Sequence, residues 1–352
     1  MKQRRKAIQF FFIVIIFLLG VTLSCSKKVA PEPVSQSQLL LGTACRITLY
    51  DKQDGEIFIK GFDRIKEIEE RMDFHTTGSE IAQINQRGYL EPVKVSRDTF
   101  LVIERSLEMA KVSGGAFDPT VGPLVEAWGI GGDNPRRPDQ TEIDALLKLV
   151  DSSKVILNPE SLTVRLLIEG MKLDLGGIAK GYAADEVAKV LRENSVNSAI
   201  INLGGNVLTV GVKPDGSSWR IGIQNPHSER GGHVMIVNVD SKTVVTSGPY
   251  ERYAEIDGII YHHILDTKSG YPVVTNLLSV TIITDESIYA DALSTSVYSL
   301  GLIEGMDLIN SLEGVEAVFI DNNDTIYLSK GFAEGLYPYT ISDPQFKIGK
   351  IE

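Results

Sequence analysis

The segment that most constrains the fold runs from Lys172 to Tyr182 and reads Lys-Leu-Asp-Leu-Gly-Gly-Ile-Ala-Lys-Gly-Tyr. Its apolar lead-in ends at two glycines, and a helical pattern follows whose apolar face is formed by Ile178, Ala183, Val187, Val190 and Leu191. A strand that turns through glycines into a helix directs backbone N–H groups, at the positive end of the helix dipole, toward an anion. Lys180 adds positive charge in the first helical turn. The segment therefore predicts an anionic ligand, and a tight turn with a solvated lysine is the alternative.

A second double glycine lies further along the chain. The segment Ile200–Asn206 reads Ile-Ile-Asn-Leu-Gly-Gly-Asn and predicts a strand that ends at Gly204-Gly205. Two glycine-rich strand ends in one domain bring backbone close to one extended ligand. Neither segment is a Walker A loop or a G-x-G-x-x-G fingerprint, so neither of those binding mechanisms transfers to this chain.

The composition excludes some classes of protein. A chain of 352 residues with 43% hydrophobic content is long and apolar enough to bury a large core. Its formal net charge of -11 argues against nucleic acid as a partner. Two tryptophans and 7% aromatic residues argue against stacking on sugars, which leaves a sugar-binding or peptidoglycan-binding envelope protein as a distant alternative.

The first 25 residues have the pattern of a secretory signal. Basic residues between Lys2 and Lys6 precede the apolar run Phe10–Leu19, and Thr22-Leu23-Ser24-Cys25 then resembles a lipobox. We expect cleavage before Cys25 and a lipid on that cysteine, although the leucine is shifted by one position from the usual lipobox. An uncleaved signal anchor is the alternative.

The predicted domain organisation follows from this leader. Residues 26–39, rich in Ser, Gln and Pro, are predicted as a flexible tether, and residues 40–345 as one domain. With lipid on Cys25, the only other cysteine, Cys45, has no partner for a disulfide. Cys45 lies in a strand-like run, which favours a small core residue over a nucleophile.

The domain has the pattern of an α+β fold with mixed sheets and flanking helices. Helical periodicity places Phe58, Phe62, Ile65 and Ile68 on one face, and later Phe100, Ile103, Leu107 and Ala110 on another. Further along, the pattern predicts a loop, several strands, two helices and a closing hairpin. These are a loop over Ser113–Pro138, single strands over Ser198–Val210 and Ala254–Ile260, helices over Ser287–Leu300 and Ile303–Leu312, and a hairpin over Val315–Leu328.

A pair of histidines stands near a predicted turn. His262 and His263 lie in Tyr-His-His-Ile-Leu-Asp-Thr-Lys-Ser-Gly-Tyr-Pro, and Asp266 follows three residues after His263. Histidine is the side chain best suited to accept a proton at neutral pH. Only five histidines occur in the chain, and we interpret His263 and Asp266 as candidate catalytic residues, while a structural histidine is the alternative.

A carboxylate and a hydroxyl share one face of a later helix. Asp291 and Thr295, in Ala-Asp-Ala-Leu-Ser-Thr, are four residues apart and therefore adjacent on the helix surface. Two hard oxygen ligands on one turn suit Mg²⁺, which keeps waters and ligand phosphates for the rest of its shell. A helix N-terminal acid with a threonine that bonds back to the helix is the alternative.

Taken together, and in this order, these segments resemble the ApbE family, the flavin transferases that use FAD to attach FMN to proteins. The resemblance covers about residues 40–330. It rests on eight motifs: Gly42-Thr43, Ser79–Asn85, Gly114–Leu124 with Trp128, Asp174–Gly181, Asn202–Gly205, Thr246–Gly248, His263–Asp266 and Asp291–Thr295.

The resemblance implies a site. FAD is the expected substrate and Mg²⁺ the expected cofactor, the metal being held by Asp291, Thr295 and the backbone carbonyl of Ala179. His263 is expected to deprotonate a threonine or serine hydroxyl of the target protein, with release of AMP. The residues implied in binding FAD are Met72, His75, Phe117, Asp118, Asp174, Gly176, Gly177, Lys180, Gly204, Gly205, Thr246, Ser247 and His263.

One segment departs from the family pattern. Where many members read Ser-x-Tyr before the Ser-Glu-Ile segment, this chain reads Asp73-Phe74-His75. In the family that tyrosine lies beside the flavin, and members that only hydrolyse FAD to FMN and AMP differ here. Hydrolysis is therefore an alternative to transfer, and a binding lipoprotein that stores FAD without turnover is another.

The partners and the location follow from the same resemblance. It implies acceptor proteins in membrane electron-transfer complexes, such as Na⁺-translocating quinone reductases or Rnf-type complexes. The expected lipid on Cys25 would attach the protein to a membrane in the cell envelope, on its periplasmic or outer face.

Overall fold

The helices form where apolar residues recur every three to four positions. The computed structural model describes residues 32–228 and 231–351. The predicted signal peptide, Cys25 and residues 26–31 of the predicted tether lie outside the described residues. In the described part the helices are α1 (Gly55–Met72), α2 (Glu80–Arg87), α3 (Arg97–Val112), α4 (Gly122–Trp128), α5 (Gln140–Leu147), α6 (Ala179–Glu193), α7 (Ser287–Ser311) and α8 (Lys330–Ala333). None of them is both long enough and apolar enough to cross a membrane.

Polar residues just before the first three helices explain where these helices begin. The side chains of Asp54, Ser79 and Ser96 accept hydrogen bonds from backbone N–H groups in the first turns of α1, α2 and α3. Helix α7 contains one break, at Gly301, whose φ is 77°. This break confirms the prediction of two successive helices in this region. Glycine adopts that backbone angle without a steric penalty, which explains why the break occurs at this residue.

Within residues 32–228 and 231–351 the strands form four sheets. They are β1 (Val34–Leu40), β2 (Thr43–Leu49), β3 (Val93–Lys94), β4 (Val155–Asn158), β5 (Thr163–Leu166), β6 (Ser198–Leu203), β7 (Asn206–Gly211), β8 (Trp219–Gln224), β9 (His233–Val239), β10 (Thr243–Ser247), β11 (Tyr253–Ile256), β12 (Ile259–His262), β13 (Leu277–Thr284), β14 (Glu316–Asp321), β15 (Thr325–Leu328), β16 (Tyr339–Ile341) and β17 (Lys347–Ile348). The main sheet has nine strands in the order β1-β2-β6-β7-β10-β13-β14-β15-β17. Its pairs are antiparallel except β15 with β17, which is parallel, so the predicted α+β class with mixed sheets is confirmed.

The main sheet is buried on both faces. Val280 and Ile282 of β13 belong to the large core beneath α1, α6 and α7, whereas Ile283 belongs to a second core. The second core lies between the main sheet and the three-stranded sheet β16-β9-β8, which contributes Trp219 and Val237. Since successive side chains of a strand point to opposite faces, β13 is buried along nearly its whole length.

The predicted tether is wrong from Val34 onward. Strand β1 covers Val34–Leu40 and pairs along its length with β2, from Val34 opposite Leu49 to Leu40 opposite Thr43. Most of this strand is exposed, because it forms the edge of the sheet. Its Ser and Gln residues suit an exposed edge strand as well as a linker, so composition did not distinguish the two. Pro33–Glu352 form one compact unit.

Three predicted boundaries are also wrong. The single strand expected over Ser198–Val210 is two strands, because Gly204 and Gly205 have φ of 66° and 100° and turn the chain back on itself. The strand expected over Ala254–Ile260 is the hairpin β11-β12, with positive φ at both residues of its Asp-Gly turn. The loop expected over Ser113–Pro138 contains helix α4.

A candidate active site at the glycine loop

The glycine loop, Asp174–Ile178, is held by contacts from two other segments. The backbone of Leu173, just before it, forms two hydrogen bonds with the Asn85 side chain of α2, of 2.7 and 3.0 Å. The N–H of Asp174 donates to the carbonyl of Pro119 at 2.8 Å. The lead-in is therefore an extended segment held by a side chain and a loop, and not a strand of a sheet as predicted. Asn85 belongs to the Ser79–Asn85 motif, but the sequence did not indicate that its side chain holds the backbone of Leu173.

The start of helix α6 is capped from elsewhere in the chain. Its N-cap residue, Ile178, has no side-chain hydrogen bond to the helix. Instead, Asp291 Oδ2 of α7 accepts from the N–H of Gly181 at 2.9 Å, and Asp174 Oδ1 accepts from the N–H of Gly176 at 2.6 Å. The predicted N–H groups thus point toward negative charge, but two of them already have protein carboxylates as acceptors. The positive end of the helix dipole favours both carboxylates.

The loop lies close to helix α7 because glycine stands at its contact points. A Cβ on Gly177 would lie 3.1 Å from Phe117 Cε2 and 3.6 Å from Thr295 Oγ1. A Cβ on Gly181 would lie 2.2 Å from the carbonyl oxygen of Ser287, which is closer than side chains approach backbone. The glycines therefore bring Phe117, Thr295 and the loop together.

The predicted metal ligands lie together beside a cation. Asp291 is only 4% exposed, and its two oxygens are 3.4 and 3.5 Å from Lys180 Nζ. Thr295 follows one turn later, and Ala179 is the first residue of α6. The described residues contain no cluster of three His, Cys, Asp or Glu side chains suited to a metal.

A single carboxylate, a hydroxyl and a backbone carbonyl fit Mg²⁺, since this ion readily completes its shell with water and substrate phosphates. The Asp291 carboxylate attracts the Lys180 ammonium and accepts a backbone N–H, so its surroundings favour a positive charge. This donor set is consistent with the metal that the family resemblance implied.

The tautomer of His263 follows from its partner. His263 Nδ1 is 3.0 Å from the backbone carbonyl of Arg252. A carbonyl can only accept, so Nδ1 carries the proton and Nε2 has a free lone pair. Burial lowers the pKa of His263 to about 4; the hydrogen bond to the Arg252 carbonyl opposes this shift, and the charges of Arg252 and Lys180 add to it. The residue nevertheless keeps part of its surface accessible. A neutral imidazole with a free Nε2 is suited to accept a proton.

Asp266 does not hold His263 in place. Its Oδ1 accepts from the N–H of Lys268 at 2.9 Å, and its own N–H donates to the carbonyl of Tyr271 at 2.8 Å. These bonds stabilise the turn over residues 266–271. The predicted catalytic part for Asp266 therefore has no support in the geometry, and the group that orients His263 is the Arg252 carbonyl.

Three of the side chains expected to bind FAD are engaged inside the protein. Thr246 and Ser247 of β10 form hydrogen bonds of 2.8 and 2.7 Å with the hydroxyls of Thr281 and Ser294. Asp118 is 8% exposed and accepts three hydrogen bonds, from the N–H and hydroxyl of Thr120 and the N–H of Ser152. The polar atoms of these side chains therefore have partners within the protein, and Asp118 directly follows Phe117, whose ring lies beside Gly177.

The remaining predicted residues divide by exposure. Met72 is 3% exposed and belongs to the large core. His75 is exposed and makes an edge-to-face contact with Phe74, with ring centroids 5.1 Å apart. A Cβ on Gly205 would meet nothing within 4 Å, so the second glycine turn borders open space.

The pKa of the Asp174 carboxyl responds to charged side chains from several parts of the site. Burial raises the pKa of Asp174, and the N–H donated by Gly176 opposes this shift, as do the charges of His75, Lys180 and Arg252. The charges that act on Asp174 therefore come from three separate segments of the chain. No sequence pattern separated Arg252 from the other exposed arginines of the chain.

Known proteins resemble this chain over most of its length. The sequence matches the ApbE family over residues 41–319. It is 38% identical to a FAD:protein FMN transferase of Klebsiella pneumoniae, covering 84% of this chain and 91% of that protein. It is 34% identical to the FAD:protein FMN transferase of Treponema pallidum, covering 92% and 93%. The crystal structure of the ApbE protein of Thermotoga maritima superposes with a TM-score of 0.80 at 32% identity, covering 86% of this chain and 99% of that one.

These matches extend over nearly the whole described domain, including the glycine loop, His263 and the Asp291–Thr295 pair. The family model covers well over half of the chain, and the relatives share more than 30% of their residues with it. This chain belongs to the ApbE family.

Proposed function

We propose that this protein is a Mg²⁺-dependent FAD:protein FMN transferase, which transfers FMN from FAD to a threonine or serine hydroxyl of a target protein and releases AMP. The observation that carries the proposal is the neutral His263 imidazole, whose free Nε2 stands in the electrostatic field of Lys180 and Arg252. Relatives named FAD:protein FMN transferase support the same activity.

In the proposed reaction His263 Nε2 accepts the proton of the acceptor hydroxyl. The hydroxyl oxygen forms a bond to the FMN-side phosphorus of FAD, the bond between that phosphorus and the bridging oxygen breaks, and AMP leaves with the bridging oxygen. Negative charge grows on the leaving phosphate, and the N-terminus of α6 together with Lys180 stabilises it. Asp291, Thr295 and the carbonyl of Ala179 would hold Mg²⁺, which supplies further neutralisation of the pyrophosphate.

Hydrolysis is the second candidate, and the observation that favours it is His75. His75 is exposed and stands where many family members have a tyrosine beside the flavin. His263 can take a proton from water as readily as from a hydroxyl, so the choice depends on which nucleophile reaches the phosphorus. A binding protein without turnover needs neither a free imidazole nitrogen nor a carboxylate for a metal, so His263 and the proposed role of Asp291 count against it.

The location and the partners belong to the same proposal. Lipid on Cys25 would anchor the protein to a membrane of the cell envelope, on the periplasmic or outer face. The acceptor would then be a subunit of a membrane electron-transfer complex exposed on that side. The signal-like sequence over residues 1–25 supports this proposal.

One experiment separates the candidates. Protein lacking residues 1–25 is incubated with FAD and Mg²⁺, with and without an acceptor protein. The acceptor is the subunit of a Na⁺-translocating quinone reductase that normally carries FMN, prepared without its flavin. AMP is quantified, and the subunit is inspected for in-gel flavin fluorescence. We expect AMP together with a fluorescent subunit. AMP and free FMN with a dark subunit would establish a pyrophosphatase, and bound FAD without AMP would contradict catalysis altogether.

A further inference from the structure

Arg252 is tied to the candidate base through its backbone. It immediately precedes β11, and its carbonyl accepts from the His263 N–H at 3.1 Å and from His263 Nδ1 at 3.0 Å. These two bonds involve only main-chain atoms of Arg252. The main chain of residue 252 is therefore fixed beside His263, and its side chain takes no part in these bonds.

The side chain of Arg252 runs between two glycines. Its Cδ is 3.6 Å from the point that a Cβ on Gly131 would occupy, and its Nη2 is 3.2 Å from the corresponding point at Gly42. Both glycines have positive φ, 89° and 65°. Gly42 adjoins Thr43, whose hydroxyl lies against the second glycine turn at Gly204. The guanidinium therefore lies at the turn of Gly42, which is joined through Thr43 to the second glycine turn.

The charge of Arg252 has no partner among the residues that the structure describes. In residues 32–228 and 231–351 its guanidinium forms neither a hydrogen bond nor an ion pair. By contrast, Arg64 contacts Glu67, Asp98 and Glu186, each within 2.7 Å. The other cation of the site, Lys180, is already paired with Asp291 and bonded to the carbonyl of Gly176.

From this arrangement we infer that the Arg252 guanidinium binds the pyrophosphate of FAD, as a phosphate-contacting residue beside the proposed metal position. The inference rests on the proposed function for the identity of the ligand. A guanidinium matches two phosphate oxygens with parallel N–H donors, which an ammonium cannot do. Arg252 would thereby connect the bound substrate to the residue whose carbonyl orients His263.

The test compares FAD with riboflavin, which has the same flavin ring and no phosphate. Full-length protein in detergent is titrated with each ligand, with EDTA present so that no metal-dependent turnover consumes FAD, and flavin fluorescence gives the dissociation constants. For Arg252→Gln we expect FAD binding to weaken by roughly 10- to 100-fold, the range for a lost charged hydrogen bond. Riboflavin binding should not change, because riboflavin has no phosphate and the variant keeps the main-chain bonds to His263.

Two further variants complete the experiment. Arg220→Gln removes an exposed arginine of β8, in another sheet, and should leave both affinities at the wild-type level. Arg252→Lys keeps the charge without the paired donors, so we expect FAD binding between that of wild type and Gln. It also decides the question if the Gln variant does not fold.

Unchanged FAD binding in the Arg252 variants would overturn the inference, and so would an equal loss for FAD and riboflavin. Because this assay measures binding without turnover, its outcome is independent of the transferase assay. Wild-type protein that binds FAD through Arg252 but releases no AMP would refute the proposed function and leave this inference standing.

Discussion

Two groups of charged residues in this protein serve different purposes. The first is the Arg64 network, in which Arg64 and Arg71 contact Glu67 and Asp98, and Arg64 also reaches Glu186. The second is the candidate active site. In the network each arginine contacts at least two carboxylates, whereas in the site Lys180 has one carboxylate partner and Arg252 has none among the described residues. Paired charges hold helices α1, α3 and α6 together, whereas the Arg252 charge has no carboxylate partner among the described residues and is available to an anion.

The largest effect is expected at Asp291, the single carboxylate proposed for the metal. Asp291→Ala should reduce Mg²⁺-dependent AMP release by about 1,000-fold or more, because a polarising metal contributes several kcal/mol to the transition state. Asp291→Asn is the matched control for shape, since an amide oxygen can still accept from Gly181. We expect it to be nearly as inactive. Turnover near the wild-type level in either variant would remove Asp291 from the metal site.

Loss of the base should come next. His263→Ala should lower AMP release by roughly 10²- to 10⁴-fold, the range for general-base catalysis, while FAD binding is retained. His262→Ala is the neighbouring control. Its Nε2 is bonded to the carbonyl of Val273, so we expect its loss to change turnover only slightly. Loss of FAD binding in His263→Ala would contradict a role confined to proton transfer.

Removing the centre of the Arg64 network should affect stability and leave the chemistry intact. Arg64→Ala removes the arginine partner of Glu186 and one of the two arginines that pair with Asp98, and both carboxylates are about 20% exposed. We expect the free energy of unfolding to fall by about 3 kcal/mol, measured by urea denaturation. Lys66→Ala breaks an exposed pair with Glu70 and should cost less than about 0.5 kcal/mol. If the folded Arg64 variant lost AMP release at saturating FAD, the separation between the two groups would be wrong.

The smallest effect concerns pH. Burial lowers the pKa of His263 from its ordinary value of 6.5 to about 4. The acid limb of kcat/KM should therefore fall near pH 4, below which Nε2 is protonated and cannot act as a base. In Arg252→Gln this limb should move to higher pH, because the lost positive charge had favoured neutral imidazole. A wild-type limb near 6.5 would show that His263 is not desolvated, or is not the base.

The same shift gives a stability change of known sign. The unfolded state binds the proton more tightly than the folded state, so stability should fall as the pH decreases from 6.5 toward 4.

The elements that could be predicted from sequence are those in which local pattern and burial agree. The apolar faces of α1 and α3, the break near Gly301 and the hairpin β14-β15 follow from periodicity and turn residues. His263 and the Asp291–Thr295 pair could be selected because few residue types perform their chemistry. The family and the fold class were predicted correctly on this basis.

What the sequence could not show depends on contacts between distant segments. Asn85 holds the backbone of Leu173, 88 residues away, and no local pattern indicates that bond. The carbonyl that orients His263 belongs to the main chain of residue 252, so the type of side chain there carries no information about it. Asp266 was chosen for its closeness in sequence, but in the turn its carboxylate faces the backbone of Lys268.

Strand β1 also limits how far the enzyme can stand from its anchor. If residues 26–39 were all a linker, they would allow a reach of about 50 Å from Cys25 at full extension. Because β1 begins at Val34, only the eight residues 26–33 are left for this purpose, and their full extension is about 30 Å. With lipid on Cys25, as proposed, this short linker would keep the domain less than one domain diameter from the bilayer surface. Acceptor hydroxyls would then have to lie close to the membrane plane, and partners with tall extramembrane domains would have to present them near the base.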